Sequence, residues 1–194
     1  MFKNLNDSFK IRVLMISLFC LIAHSGWSQT KHLITQIEAG GIRGIQISKT
    51  FPVLKTGRMA QISLSKPFGQ FVQAGIGIGY IQLEREDFKP LFFYIKGNKK
   101  HHENSMFFES SLGISKGTNY DFINSNNTEF NGGIYFSPGI GYQYIINSKI
   151  ALTSSINYVL QKATLNQLNS SQEIFYSESL SLDLIIFKIG LTLK

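Results

Sequence analysis

The sequence predicts an all-β protein, an eight-stranded antiparallel up-and-down transmembrane β-barrel, and three observations predict it. The first is a period of two. From Phe130 to Ile146 the even positions carry Phe130, Ile134, Phe136, Pro138, Ile140, Tyr142, Tyr144 and Ile146, while the odd positions carry Asn131, Gly133, Ser137, Gly139, Gly141 and Gln143. Successive strand side chains point to opposite faces, so one face is apolar and aromatic and the other is small and polar. A soluble barrel would turn its apolar face inward. Here the small, polar face suits a narrow interior and the apolar face suits lipid. The second observation is an even strand count with alternately short and long connections. The third is an export signal at the N-terminus.

The elements follow in chain order. Lys3, Lys10 and Arg12 form a basic leader before the short apolar run Val13 to Ala23, and Gly26-Trp27-Ser28 supplies a small-x-small cleavage site. That run is too short to cross a bilayer as a helix, so residues 1–28 read as a signal peptide and 29–194 as the barrel domain, beginning at Gln29. The sole cysteine, Cys20, lies inside the leader behind Leu18 and Phe19, which excludes a lipoprotein site and leaves the exported chain without thiol chemistry. Strands are expected near 33–47, 57–66, 69–85, 88–97, 104–117, 130–146, 149–165 and 176–193. Tight connections carry the Gly, Pro and Asn that turns require: Lys66-Pro67-Phe68-Gly69, Gly97-Asn98-Lys99-Lys100 and Asn147-Ser148. The odd-numbered connections include the longer polar stretches 48–56, 118–129 and 165–175, with the third, at Glu86-Asp87, short. Short turns on one side and long loops on the other is the asymmetry of an outer-membrane barrel, with the short turns and both termini in the periplasm.

Most strands keep one parity. Val72, Ala74, Ile76, Ile78 and Tyr80 alternate with Gln73, Gly75, Gly77 and Gly79; Met106, Phe108, Leu112 and Ile114 alternate with Glu109, Ser111, Gly113 and Ser115; Ile150, Leu152, Ile156, Tyr158 and Leu160 alternate with Ala151, Thr153, Ser155, Asn157 and Gln161. The run Leu91-Phe92-Phe93-Tyr94-Ile95 assigns no facing. In the last strand Leu180, Leu182 and Leu184 give way to Ile185, Phe187, Ile189, Leu191 and Leu193, which predicts a β-bulge near Leu184. Pro138 removes a ladder hydrogen bond and predicts a second bulge.

Charge and composition narrow the classes. The whole chain carries 19 basic and 12 acidic side chains; loss of Lys3, Asp7, Lys10 and Arg12 with the signal leaves a net charge of +5. The basic residues are scattered, with neither a basic helix nor an RNA-binding aromatic motif, so nucleic acid is not the expected partner. Anionic lipopolysaccharide and other outer-membrane lipid are. A mean hydropathy of +0.02 fits strands of which only half the positions meet lipid. At about 166 residues the exported chain is one domain.

The Gly-rich strands Gly75-Ile76-Gly77-Ile78-Gly79-Tyr80 and Pro138-Gly139-Ile140-Gly141-Tyr142, together with the ending Phe187-Lys188-Ile189-Gly190-Leu191-Thr192-Leu193-Lys194, resemble small outer-membrane β-barrel proteins. The resemblance is to the PorT-like barrel family within the broader OmpA/OmpX-like architecture, and it covers the whole exported chain. It implies an integral outer-membrane protein of a Gram-negative bacterium, inserted by barrel-insertion machinery that reads the terminal alternation. It also implies a link to a secretion or envelope assembly.

Chemistry-bearing residues are few. His32, His101 and His102 are the histidines of the exported chain. His101-His102-Glu103 follows a tight turn, and adjacent histidines on a strand point to opposite faces, so no metal site is expected. Some eight-stranded barrels hydrolyse or transfer lipid A acyl chains with a histidine, a serine and a carboxylate at the outer rim. No histidine falls near a predicted outer strand end here, so neither catalytic residues nor a cofactor are expected. The Gly-x-Gly runs are not nucleotide loops, because no helix follows them. Glu38, Glu109 and Asp183 fall on predicted interior faces, Arg85 lies inside near the outer end of its strand, and Arg43 joins them if Gly40-Gly41 forms a bulge. A carboxylate in a narrow barrel must be paired or hydrated, so these residues are expected to form a polar network that fills the interior. A non-catalytic structural or interaction protein acting through its loops is the expected function. A narrow channel for ions or small solutes is the alternative, and a wide porin-like pore is excluded by strand number.

Overall fold

Alternation gives each strand two unlike faces, and strands that all alternate can separate those faces together by closing into a barrel. The computed structural model describes residues 33–45, 56–84, 86–98, 103–119, 128–168 and 174–194. In it β1 (Ile34–Gly44), β2 (Thr56–Phe68), β3 (Val72–Leu83), β4 (Glu86–Asn98), β5 (Ser105–Asn119), β6 (Thr128–Ile145), β7 (Ile150–Leu168) and β8 (Ile174–Leu193) form a closed barrel in chain order. Every neighbouring pair is antiparallel, and β8 returns to β1. The expected signal peptide and its cleavage site lie outside the described residues.

The register fixes the tilt. A ladder traced from Thr35 through Leu64, Ile76, Phe93, Leu112, Phe136, Leu160 and Asp183 returns to β1 at Ile45, ten residues along; the Ile45 N–H donates to the Asp183 carbonyl at 2.9 Å. That climb over eight strands corresponds to strands inclined by about 40° to the barrel axis. β4 to β8 run from 13 to 20 residues, more than a bilayer needs from a tilted strand.

Turn chemistry is visible where the connections are short. Gly69 has φ +72°, a left-handed conformation that a residue with a Cβ rarely adopts. Asn147 accepts from the N–H groups of Lys149 (2.8 Å) and Ile150 (2.9 Å) through Oδ1, an Asx-turn that carries β6 into β7. At the opposite end β3 and β4 are joined through Glu84 and Arg85 alone, with the Thr56 hydroxyl donating to Glu84 Oε1 at 3.0 Å. The remaining connections at that end, and residues 99–102 at the other, lie largely outside the described residues.

Two expected bulges are absent from their predicted places. The β6–β7 register is the same at Phe136↔Leu160 and Gly139↔Asn157, so nothing is inserted at Pro138; the shift falls between Gly132 and Tyr135. β8 keeps one register past Leu184 on both sides and shifts only opposite Gln167 and Leu168. The parity switch has another cause. Leu184 and Ile186 are buried inside, and Leu180 and Leu182 pack against the same cluster. The interior itself changes from polar to apolar along the barrel, so an apolar side chain in β8 marks lipid in one half and core in the other.

That change is the main feature of the inside. Toward the tight turns the buried residues are polar: Gln36, Ser65, Gln73, Asn98, Gln143, Thr153 and Thr192 among them. Toward the long connections they are mainly apolar: Ile42, Met59, Ile81, Leu83, Phe88, Phe130, Val159, Ala163 and Leu184, with Gln161 donating to the Ser115 hydroxyl at 2.6 Å as a buried polar pair among them. The outward face is apolar almost throughout, with Phe108 71% and Ile114 66% exposed. Ile76, Ile140, Tyr142 and Ile156 are exposed as their parity predicted, and Gly77, Ser155 and Glu109 are buried.

Candidate functional site

Four charged side chains meet in the barrel near the boundary between its polar and apolar layers. Each is delivered by simple alternation: Glu38 from β1, Lys96 from β4, Glu109 from β5 and Lys188 from β8. The Lys188 Nζ lies 2.7 Å from Glu109 Oε1 and 3.4 Å from Glu38 Oε2. Gln61, opposite Glu38 in the ladder, donates its Nε2 to the same Glu38 oxygen. Lys96 stands directly opposite Glu109, with its Nζ 3.8 Å from the centroid of the Phe107 ring. Glu38, Lys96, Glu109 and Lys188 are all at most 5% exposed. Two ammonium groups and two carboxylates leave the set neutral. Neutrality matters here, because the penalty for removing an ion from water is several kcal/mol per charge, and only a close partner offsets it.

Polar groups around the charges continue the network. The Tyr94 hydroxyl donates to Gln36 Oε1 at 2.9 Å, the Ser155 hydroxyl to Asn157 Oδ1 at 3.0 Å, and Asn98 Nδ2 to Gln143 Oε1 at 3.3 Å. Above them aromatic rings take over. Phe92 meets Tyr135 at a centroid separation of 5.7 Å, and Phe88 meets Phe130 edge-on at 5.4 Å. The glycines of the inner wall make room for these rings. Gly77 lies opposite Phe92, and a Cβ there would come within 2.5 Å of ring carbons; Gly141 stands in the same relation to Phe107. Gly77 and Gly141 thus each seat an aromatic side chain from a neighbouring strand.

Of the four residues expected to form the interior network, Glu38 and Glu109 meet, bridged by Lys188. Asp183 does not join them. It points outward, where its carboxylate accepts from the Tyr158 hydroxyl. Its predicted facing rested on taking Leu182 and Leu184 as lipid-facing, and both face the apolar core. Arg85 lies outside the described residues. Arg43 is exposed on the outer face, since the register runs unbroken through Gly40 and Gly41. Lys188 and Lys96 were not anticipated. Lys188 was findable, because Phe187 and Ile189 put it on the other face by parity alone. Lys96 follows the run 91–95, whose facing is settled only by the fold: Phe92 and Tyr94 in, Leu91, Phe93 and Ile95 out.

His32, His101 and His102 lie outside the described residues, and no group of three metal-ligating side chains occurs among the described ones. No family model matches the chain, and no curated protein does. Solved structures do. The solid-state NMR structure of outer membrane protein AlkL in lipid bilayers superimposes with a TM-score of 0.54 at 9% identity, over 86% of this chain and 93% of that one. The crystal structure of Neisserial surface protein A superimposes with a TM-score of 0.50 at 9% identity, over 84% and 96%. At such identity the likeness speaks for fold alone: the chain is an eight-stranded antiparallel barrel of the kind found in small outer-membrane proteins.

Proposed function

We propose that the protein is an integral barrel of the outer membrane of a Gram-negative bacterium, with a non-catalytic structural or interaction role. The role is exercised through the loops 48–56, 118–129 and 165–175 or within an envelope or secretion assembly. The observation that carries this reading is the filled interior. The polar layer is neutralised within itself by Lys96 and Lys188 with Glu38 and Glu109, and the layer above it is packed mainly with rings and aliphatic side chains. A barrel whose inside is occupied by its own side chains acts through its outside. Export by a cleaved signal, insertion by barrel-insertion machinery and contact with outer-membrane lipid and lipopolysaccharide belong to the same reading. Neither nucleic acid nor a cofactor has a part in it.

The alternative, a narrow channel, predicts a different electrical behaviour. The purified barrel reconstituted in a planar bilayer is expected to give no steady conductance, because ions would have to cross the layer formed by Phe88, Phe92, Tyr135 and Leu184. A steady ohmic current would replace the interaction role with the channel. Crosslinking in intact cells from positions in the three loops, followed by identification of the adduct, then names the partner.

A further inference from the structure

Lys89 and Lys116 stand directly opposite each other in the β4–β5 ladder, both exposed on the outward face. Opposed residues in an antiparallel pair hold their Cβ atoms about 4.5–5.5 Å apart, and like charges there repel. Neither ammonium has an ion-pair partner among the described residues. Asp87, two residues before Lys89 on β4, is only 4% exposed and accepts from the Tyr80 hydroxyl at 2.6 Å. The next outward pairs on the same two strands are Leu91↔Ile114 and Phe93↔Leu112, all more than half exposed. One ribbon therefore presents two adjacent cations at the end nearest the long connections and a continuous apolar track below them.

We propose that this ribbon binds a phosphorylated glycolipid of the outer leaflet, with one phosphate bridging Lys89 and Lys116 and an acyl chain lying along Leu91, Ile114, Phe93 and Leu112. A phosphomonoester carries a charge of about −1.5 to −2 near neutral pH and three strong acceptor oxygens, which matches two neighbouring ammonium groups. A phosphodiester carries a single charge and matches them less well. The inference rests on the proposed orientation, with the long connections outside, because that places the cations at the depth of outer-leaflet headgroups.

The test is native mass spectrometry of the full-length mature protein released from neutral detergent. The probes are diphosphoryl lipid A, the same lipid with its phosphates removed, and phosphatidylglycerol. Diphosphoryl lipid A should remain bound to the natural protein. K89Q/K116Q should weaken its binding about tenfold or more, the loss expected when a charge-assisted contact worth about 1.4 kcal/mol disappears. Lys149→Gln, at the opposite end of the barrel, should leave binding unchanged. Equal retention of the dephosphorylated lipid, equal retention by K89Q/K116Q, equal binding of phosphatidylglycerol, or displacement of lipid A by an equimolar amount of inorganic phosphate would each overturn the proposal. The dephosphorylated-lipid arm uses only the natural protein, so it decides even if the double variant fails to fold. Orientation is read separately, by surface labelling of the long loops on intact cells. Inverted labelling with phosphate-dependent binding removes the orientation and with it the outer-leaflet ligand; correct labelling without phosphate dependence removes the lipid site alone.

Discussion

Lys188 is the residue on which the interior depends most. It is 4% exposed and is the cation bridging both Glu38 and Glu109. Lys188→Met would leave Lys96 as the remaining cation of the set, facing a ring rather than a carboxylate. Breaking a buried ion pair by removing one partner typically costs about 3–5 kcal/mol, because the other charge stays buried. Urea unfolding of the variant in lipid vesicles should show a loss of that order, and adding Glu109→Gln should restore part of it. A loss unaffected by Glu109→Gln would show that the pair is not what Lys188 stabilises. Gly77 is the second test at this scale. Gly77→Val overfills the space held by the Phe92 ring and should cost about 1–3 kcal/mol. In a Phe92→Leu background the additional cost of Gly77→Val should shrink. It should not vanish, since the Ile62 carbonyl also lies close to that Cβ position.

At the level of elements, legibility followed the contrast between the two faces of each strand. β3, β5, the lower part of β7, and β6 from Ile134 onward read correctly because lipid outside demands apolar residues and a narrow, polar interior demands small ones. Phe130, expected on the lipid face, lies in the core, because the register shift between Gly132 and Tyr135 reverses the facing of the start of β6. β4 was unreadable because its inner face carries Phe92 and Tyr94 while its outer face carries Leu91, Phe93 and Ile95, so both are apolar. β8 misled for the same reason in one half only, and Asp183 was misplaced with it. A soluble-protein intuition, in which apolar means inside, would have failed for the lipid-facing half; the opposite intuition failed for the core-facing half. A nitroxide at Ile140 should be quenched by a lipid-soluble agent, whereas one at Leu182 should be shielded from it. Strong quenching at Leu182 would reinstate the bulge near Leu184. Ile140→Arg, which puts a charge on the lipid face near mid-strand, should cost about 2–4 kcal/mol of barrel stability.

On the scale of the whole molecule, the closed circuit and the two interior layers give the barrel a direction as well as a shape. The polar layer lies toward the tight turns and both described termini; the apolar layer lies toward the connections 45–55 and 120–127. Strand number and connection lengths were legible from turn residues and alternation. The layering was not, because it arises from which strands face each other across the interior, a relation between distant segments that no local period records. The same direction sets the membrane topology. An even number of strands returns the chain to the side from which it entered, so the odd-numbered connections share one side and the even-numbered ones the other. In the outer-membrane role proposed above, a chain inserted from the periplasm would have its even-numbered connections on that side. An epitope inserted after Ser125, between β5 and β6, should therefore be labelled on intact cells. One inserted after Asn98, between β4 and β5, should be labelled only after the outer membrane is permeabilised. The residues Asn124, Ser125, Asn126 and Asn127 offer almost no apolar surface to bury, so the insertion there should leave the barrel folded, as judged by its resistance to unfolding in sodium dodecyl sulfate without heating. The reversed labelling pattern would place the apolar layer at the periplasmic mouth and remove the case for partner binding at the cell surface.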